Sequence, residues 1–275
     1  MIPFTSISKN AEKRCHFFHG NGYPPKAYSS FLNNISNNYS VQSMLLRQFW
    51  GSSPEPKEVM NWDIFLDDLI QYTKENNVNN ENAIGHSMGG NILLRSSIKN
   101  SALYKKIVLL DPTIFSPIVI YIWRFLCYLK IHPLIKNAKN RRREFNDFEE
   151  IFDSYRSKKV FSRIADIHLN EYINSIFEKY EDRLVLYKDH NPAWEEIMYL
   201  TAGIKDFDIW ENLHRLKTPT LIIIPETSPV LRYHASKKIS KNRLIEIKIL
   251  KESTHLFPLE KPKETSKIIL DFFSK

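Results

Sequence analysis

The 275-residue sequence predicts an α/β fold: a mostly parallel central sheet, helices on both of its faces, and an inserted helical cap. Three observations carry this. Short apolar runs bounded by turns alternate with amphipathic helical stretches. The alternation stops after residue 112 and resumes after about residue 205. The last apolar run is followed by a proline that opens a closing helix. The expected division is a core domain made of residues 1–112 and 206–275, with residues 113–205 as the cap.

Taken in order, residues 15–18 form a short apolar run that ends in His19-Gly20-Asn21-Gly22, which reads as a buried strand stopping at a glycine-rich turn. Residues 39–46 alternate as a second strand, and residues 52–56 read as a loop. In the next stretch Trp62, Phe65, Leu66, Leu69 and Ile70 share one helical face, while Asp63, Asp67 and Asp68 fall largely on others. Residues 82–84 lead into Gly85-His86-Ser87-Met88-Gly89, and residues 91–97 form the helix after it. Residues 106–110 (KIVLL) are a buried strand ending at Asp111-Pro112. Residues 220–224 are a strand, 233–239 a helix and 244–250 the last strand, before Pro262 opens the final helix.

Composition bounds the function. Hydrophobic residues make up 43% and charged residues 25%, enough to bury a sizeable core. The net charge of +8 reads as a basic enzyme, or as attraction to anionic lipid, nucleic acid or an acidic substrate. The densest basic cluster, Lys136, Lys139, Arg141, Arg142 and Arg143, carries no nucleic-acid-binding motif, so no nucleic-acid partner is expected. Cys15 and Cys127 lie far apart and fit free thiols in a reducing cytosol. There is no Cys/His metal spacing, and no metal or cofactor is expected. The N-terminus meets charge and asparagine before any apolar run, unlike a signal peptide.

Residues 114–135 are strongly apolar but contain Pro117, Arg124, Lys130 and Pro133. A central arginine costs roughly 2.5–3.5 kcal/mol on insertion, which disfavours a membrane span. A buried or substrate-facing lid helix is expected, with shallow peripheral membrane contact as the intermediate case.

Chemistry concentrates at Gly85-His86-Ser87-Met88-Gly89. The motif G-x-S-x-G between a strand and a helix makes a sharp turn that exposes the serine hydroxyl. Ser87 is the candidate nucleophile, and the N–H of Met88 faces a developing oxyanion at the positive end of the helix. The backbone N–H of Asn21 is the candidate second donor, with its side-chain amide as a possible helper. His19, in the turn, reads as structural. Among nine histidines, His255 follows the last strand and is the candidate base. His86, next to Ser87, reads as structural.

Two carboxylates are candidates for the acid. An aspartate is expected after the 220–224 strand, where the sequence has Pro225-Glu226-Thr227-Ser228-Pro229. Ser228 cannot hold a negative charge against an imidazolium. Asp111 is the preferred acid and Glu226 the alternative. In the cap, Phe115, Tyr121, Trp123, Phe125 and Tyr128 are expected to shape an apolar acyl pocket or to be plain core. His19, Gly20 and Phe257 are further pocket candidates.

These residues resemble the α/β-hydrolase superfamily over nearly the whole length: HGNG at 19–22, GHSMGG at 85–90, VLLDP at 108–112 and THLFPLEKP at 254–262. The chain is similar to bacterial serine hydrolases with an H-x-N-G-[FY]-P opening, here His19 to Pro24. The resemblance implies an eight-stranded sheet, a helical cap and a Ser–His–acid triad, but no particular substrate. The HGN opening is also similar to haloalkane dehalogenases. Those enzymes and the epoxide hydrolases place an aspartate at the elbow, and Ser87 argues against both activities. The expected function is hydrolysis of a carboxylic ester or thioester in an apolar small-molecule acyl substrate, with the acyl chain length left open. The alternatives are a binding-only homologue, or a C–C bond hydrolase or acyltransferase with the same triad. The sequence does not set the oligomeric state.

Overall fold

A computed structural model describes residues 1–7, 11–51, 56, 59–129, 131–186, 192–227, 239 and 241–275. The expected loop at 52–56 (save residue 56), the helix at 233–238 and the Ser228 position lie outside the described residues.

Seven strands make the main sheet: β1 (Phe4–Ile7), β2 (Arg14–Phe18), β3 (Ser40–Met44), β4 (Glu81–His86), β5 (Tyr104–Leu110), β9 (Thr220–Pro225) and β10 (Ile245–Leu250), in the spatial order β1-β3-β2-β4-β5-β9-β10. All neighbours run parallel except β1, which pairs antiparallel with β3. The described sheet therefore has seven strands where the resemblance implies eight, and its edge strand β1 went unread in the sequence.

Why continuous apolar runs become central strands is visible in side-chain parity. Successive side chains of a strand point to opposite faces, so a strand covered on both sides must be apolar at every position. In β5, Ile107 and Leu109 enter one core and Val108 and Leu110 the other. In β9, Ile222 and Ile224 divide from Leu221 and Ile223 in the same way. The first core is closed by α2 (Asp63–Glu75) and α3 (Met88–Lys99), through Phe65, Leu69, Ile92 and Leu93. The second is closed by α1 (Ser29–Ile35) and the last helix, Pro262–Ser274, through Phe31, Leu32, Ile269 and Phe273. Each such side chain contributes roughly 1.5–3 kcal/mol on burial. One acidic residue of α2 departs from the expected outward set: Asp68 is buried and forms a two-point ion pair with Arg47 at 2.7 Å.

Between β5 and β9 lie α4 (Pro117–Tyr128), α5 (Pro133–Lys139), α6 (Phe148–Arg156), α7 (Asp166–Ile176) and α8 (Pro192–Thr201). This stretch also holds a small antiparallel sheet, β6 (Glu144–Phe145), β7 (Phe177–Tyr180) and β8 (Arg183–Leu186), ordered β6-β8-β7. β7 and β8 are joined by the two residues Glu181 and Asp182, with Glu181 at φ 52°. A short exposed hairpin of this kind mixes charged and apolar residues, which is why its sequence read as helix-like spacing. α9 (Asp206–Asn212) then leads back to the sheet.

Candidate active site

Ser87 sits between β4 and α3 with φ 54° and ψ −117°, a left-handed conformation that side chains seldom adopt. The strain is held by the backbone. Ser87 N–H donates to Leu110 O at 3.0 Å, and Ser87 O accepts from Thr113 N at 3.0 Å and Asn91 N at 3.2 Å. The first turn of α3 presses directly on the end of β2. A Cβ at Gly89 would lie 2.0 Å from Phe18 O, so only glycine permits this approach.

His255 bridges Ser87 and Asp111. Its Nε2 is 3.0 Å from Ser87 Oγ, and its Nδ1 is 2.7 Å from Asp111 Oδ2. Asp111 accepts at Nδ1, so that nitrogen carries the proton and Nε2 is free to accept from the serine hydroxyl. Asp111 is fully buried, has φ 37°, and is pinned by its own N–H to Ile223 O at 2.8 Å. Glu226 stands elsewhere. It is exposed, and its Oε2 accepts from the amide of Glu252 at 3.1 Å. The alternative acid is therefore not at the histidine.

The sequence did not single out Thr113, whose Oγ1 lies 3.2 Å from Ser87 Oγ. With the serine proton directed to Nε2, Thr113 is the donor in this pair. Its position is built by Asp206 and Asn91. Asn91 Nδ2 donates to Thr113 O at 2.7 Å and to Asp206 Oδ1 at 2.8 Å, and Asp206 Oδ2 accepts from Phe115 N at 2.7 Å. Burial raises Asp206 to about 6, against the hydrogen bonds from Phe115 and Asn91 that lower it. A hydroxyl two residues beyond the acid is the only sequence signal that could have marked Thr113.

The His19–Gly22 turn packs beside the elbow. A Cβ at Gly20 would lie 3.4 Å from Ser87 Cβ and 3.1 Å from His86 Nδ1. Among the described residues, the amides of Asn21 and Met88 have no acceptor. The Asn21 side chain is already engaged, since its Nδ2 donates to Glu195 O at 3.2 Å and its Oδ1 accepts from Gln48 at 3.5 Å. His19 is fully buried and shapes the turn: Nδ1 donates to Gly20 O at 3.0 Å, and Nε2 accepts from Leu46 N at 3.1 Å. Burial holds it neutral, with its pKa down to about 4. It lines no pocket.

His86 is structural, with a defined task. Its Nε2 donates to His255 O at 2.9 Å, and its Nδ1 accepts from Tyr28 OH at 2.7 Å. Tyr28 in turn accepts from Gly20 N at 3.3 Å. Burial, then the nearby His255, keeps His86 well below the ordinary histidine range. This chain of bonds ties the Gly20 turn, the elbow and the His255 loop together.

The expected pocket aromatics fall into two groups, buried or half-buried and exposed. Phe257 is fully buried in the core under α1 and the last helix. Phe115 is 2% exposed, packed against Trp123 at 4.7 Å, and its carbonyl accepts from Trp210. Trp123 is half-buried and donates to Tyr199 O at 2.8 Å. Tyr121, Phe125 and Tyr128 face outward on α4. The expected buried or substrate-facing lid helix is thus a helix with one packed side and one bare side.

No group of histidines, cysteines and carboxylates among the described residues is placed to hold a metal ion.

Comparison with known proteins agrees with this architecture. Ethanol acetyltransferase 1 of Hanseniaspora uvarum is 22% identical over 280 residues, covering 96% of this chain and 80% of that protein. E-2-(acetamidomethylene)succinate hydrolase superposes with a TM-score of 0.77 at 17% identity, covering 100% of this chain and 96% of the other. The thioesterase domain from the curacin biosynthetic pathway gives 0.74 at 15% identity, covering 97% and 94%. The family model described as serine aminopeptidase, S33, matches residues 9–262. The chain belongs to that family, within the α/β-hydrolase superfamily.

Proposed function

We propose that this hydrolase cleaves a carboxylic ester or thioester through an acyl-enzyme on Ser87. The observation that carries the reading is His255, 3.0 Å from Ser87 Oγ on one side and 2.7 Å from Asp111 on the other. Ser87 Oγ attacks the carbonyl carbon while His255 Nε2 takes its proton. The Asn21 and Met88 amides hold the oxyanion, each worth roughly 2.7–4 kcal/mol in comparable sites. His255 protonates the leaving alcohol or thiol as the C–O or C–S bond breaks. Water then gives a proton to His255 and its oxygen to the acyl carbon, and Ser87 leaves with that proton.

A binding-only role rested on the missing aspartate at 228, and a carboxylate at His255 Nδ1 removes that support. Acyl transfer to an alcohol is the second reading, favoured by the similarity to an acetyltransferase. It differs only in which hydroxyl attacks the acyl-enzyme.

The test is turnover of short and medium p-nitrophenyl esters. Ser87→Ala should lose roughly 10⁴–10⁶-fold in kcat, and a fluorophosphonate probe should label the wild type alone. Unchanged turnover in that variant removes Ser87 from the mechanism. Added ethanol separates the two readings, because transfer yields the ethyl ester in place of the free acid.

A further inference from the structure

We propose that α4 and α5 form a docking surface for a bilayer with anionic headgroups, on which the protein lies without crossing it. On α4, Ile118, Tyr121, Ile122, Phe125 and Tyr128 are 54–82% exposed. Their spacing (i, i+3, i+4, i+7, i+10) puts them in one stripe along the helix. The stripe continues through Leu129, Ile131 and Leu134, all more than 40% exposed. Isolated exposed apolar residues are ordinary in proteins, but a contiguous patch of this kind marks an interaction surface. Near its C-terminal end α4 borders an apolar cavity of about 330 Å³ lined by Met60, Cys127, Tyr128 and Leu200 among others.

Charge chooses the occupant. From Pro112 to Arg143 the sequence contains seven lysines and arginines and no aspartate or glutamate. Some of these cations are matched from outside the stretch: Lys139 pairs with Glu196, Arg141 with Glu195 and Arg142 with Glu150. Lys136 and Arg143 are exposed and have no carboxylate partner among the described residues. A second copy docked by two-fold symmetry would bring these like charges together with no acid in the stretch to pair them. A membrane carrying anionic lipid accepts the apolar stripe among its acyl chains and the cations at its headgroups.

Geometry sets the mode. α4 has 12 residues, roughly 18 Å at the helical rise, against roughly 30 Å of hydrocarbon. No single described helix is long and apolar enough to cross; α4 and α5 reach that length and composition only as a pair, with a 45° bend between them. Lying in the interface is the arrangement that buries the stripe and leaves the cations at the headgroups.

The full chain is sedimented with vesicles of phosphatidylcholine and with an equimolar mixture of phosphatidylcholine and phosphatidylglycerol. Association with the mixed vesicles, weakening as salt rises, is expected. The double variant Tyr121→Ser/Phe125→Ser should lower it by roughly tenfold or more. Lys136→Gln/Arg143→Gln should lower it by roughly fivefold per charge at low salt. All four side chains are exposed, so the thermal midpoint should stay near the wild type and separates lost docking from lost folding. No association with either vesicle, or equal association with both, overturns the proposal. So does self-association that the Tyr121/Phe125 variant abolishes while vesicle binding is absent. None of these readouts uses catalysis, so the result is independent of the ester reading.

Discussion

The loops that follow β5 and β9 leave neighbouring strands at the same edge of the sheet, and each offers one carboxylate. The β5 loop buries Asp111 completely, holds it at φ 37°, and ties it by its own amide to Ile223 of β9. The β9 loop sends Glu226 into solvent, where it accepts from Glu252. The first places its acid at the histidine and the second does not. Proximity along the fold is therefore not what makes a carboxylate useful here. A buried group with one permitted geometry can orient an imidazole, and an exposed glutamate with several free torsions cannot do so at comparable entropic cost.

The comparison can be broken most sharply at Asp111. Asp111→Asn should lower kcat by roughly 10⁴-fold, because the amide favours the wrong histidine tautomer. Retained activity there, joined to loss in Glu226→Gln, would reverse the assignment of the two loops. Thr113→Val tests the rest of the β5 loop. Loss of one neutral hydrogen bond to Ser87 Oγ should cost about 3–10-fold in kcat with little change in KM.

Asp206, which anchors the β5 loop, gives a pH signature. Its folded pKa of about 6 lies above the ordinary value of 3.8, so the protonated form is favoured by folding. Its contribution to stability is fully present below pH 3.8 and is lost as pH rises through 6. The wild type should lose stability relative to Asp206→Asn between pH 4 and 7, by on the order of 3 kcal/mol, read from urea unfolding. A pH-independent difference would mean that Asp206 does not titrate in this range. The smallest effect belongs to Glu226→Gln, with turnover within about twofold of wild type, as for an ordinary surface position.

Where a residue's burial follows from the fold class, the sequence made it legible. Residues 107–110 of β5 and 221–224 of β9 are apolar at every position because helices cover both faces, and the glycines around Ser87 mark a turn with no room for side chains. His255 was singled out by its place after the last strand and Asp111 by its place at the end of β5, and the fold brings the two within 2.7 Å. Thr113 was not, because a hydroxyl in a turn has many uses and only its 3.2 Å approach to Ser87 selects one. The direction of α4 was also hidden. Its sequence is apolar nearly all round, so periodicity cannot say which side packs. Ile120 and Cys127 went inward and Phe125 and Tyr128 outward. β1 and the β6-β8-β7 sheet escaped for a related reason: short strands at an edge, or outside the core, carry little alternation.

The acid on β5 has one more consequence, for how the chain can be divided. Ser87 and Asp111 both precede the 113–205 stretch, and His255 arrives only after it, although β5 and β9 lie side by side in the sheet. A chain cut within that stretch yields an upstream fragment with the proposed nucleophile and acid and a downstream fragment with the proposed base. On the proposed mechanism neither fragment turns over substrate alone, so recovered turnover would report that two fusion partners had met.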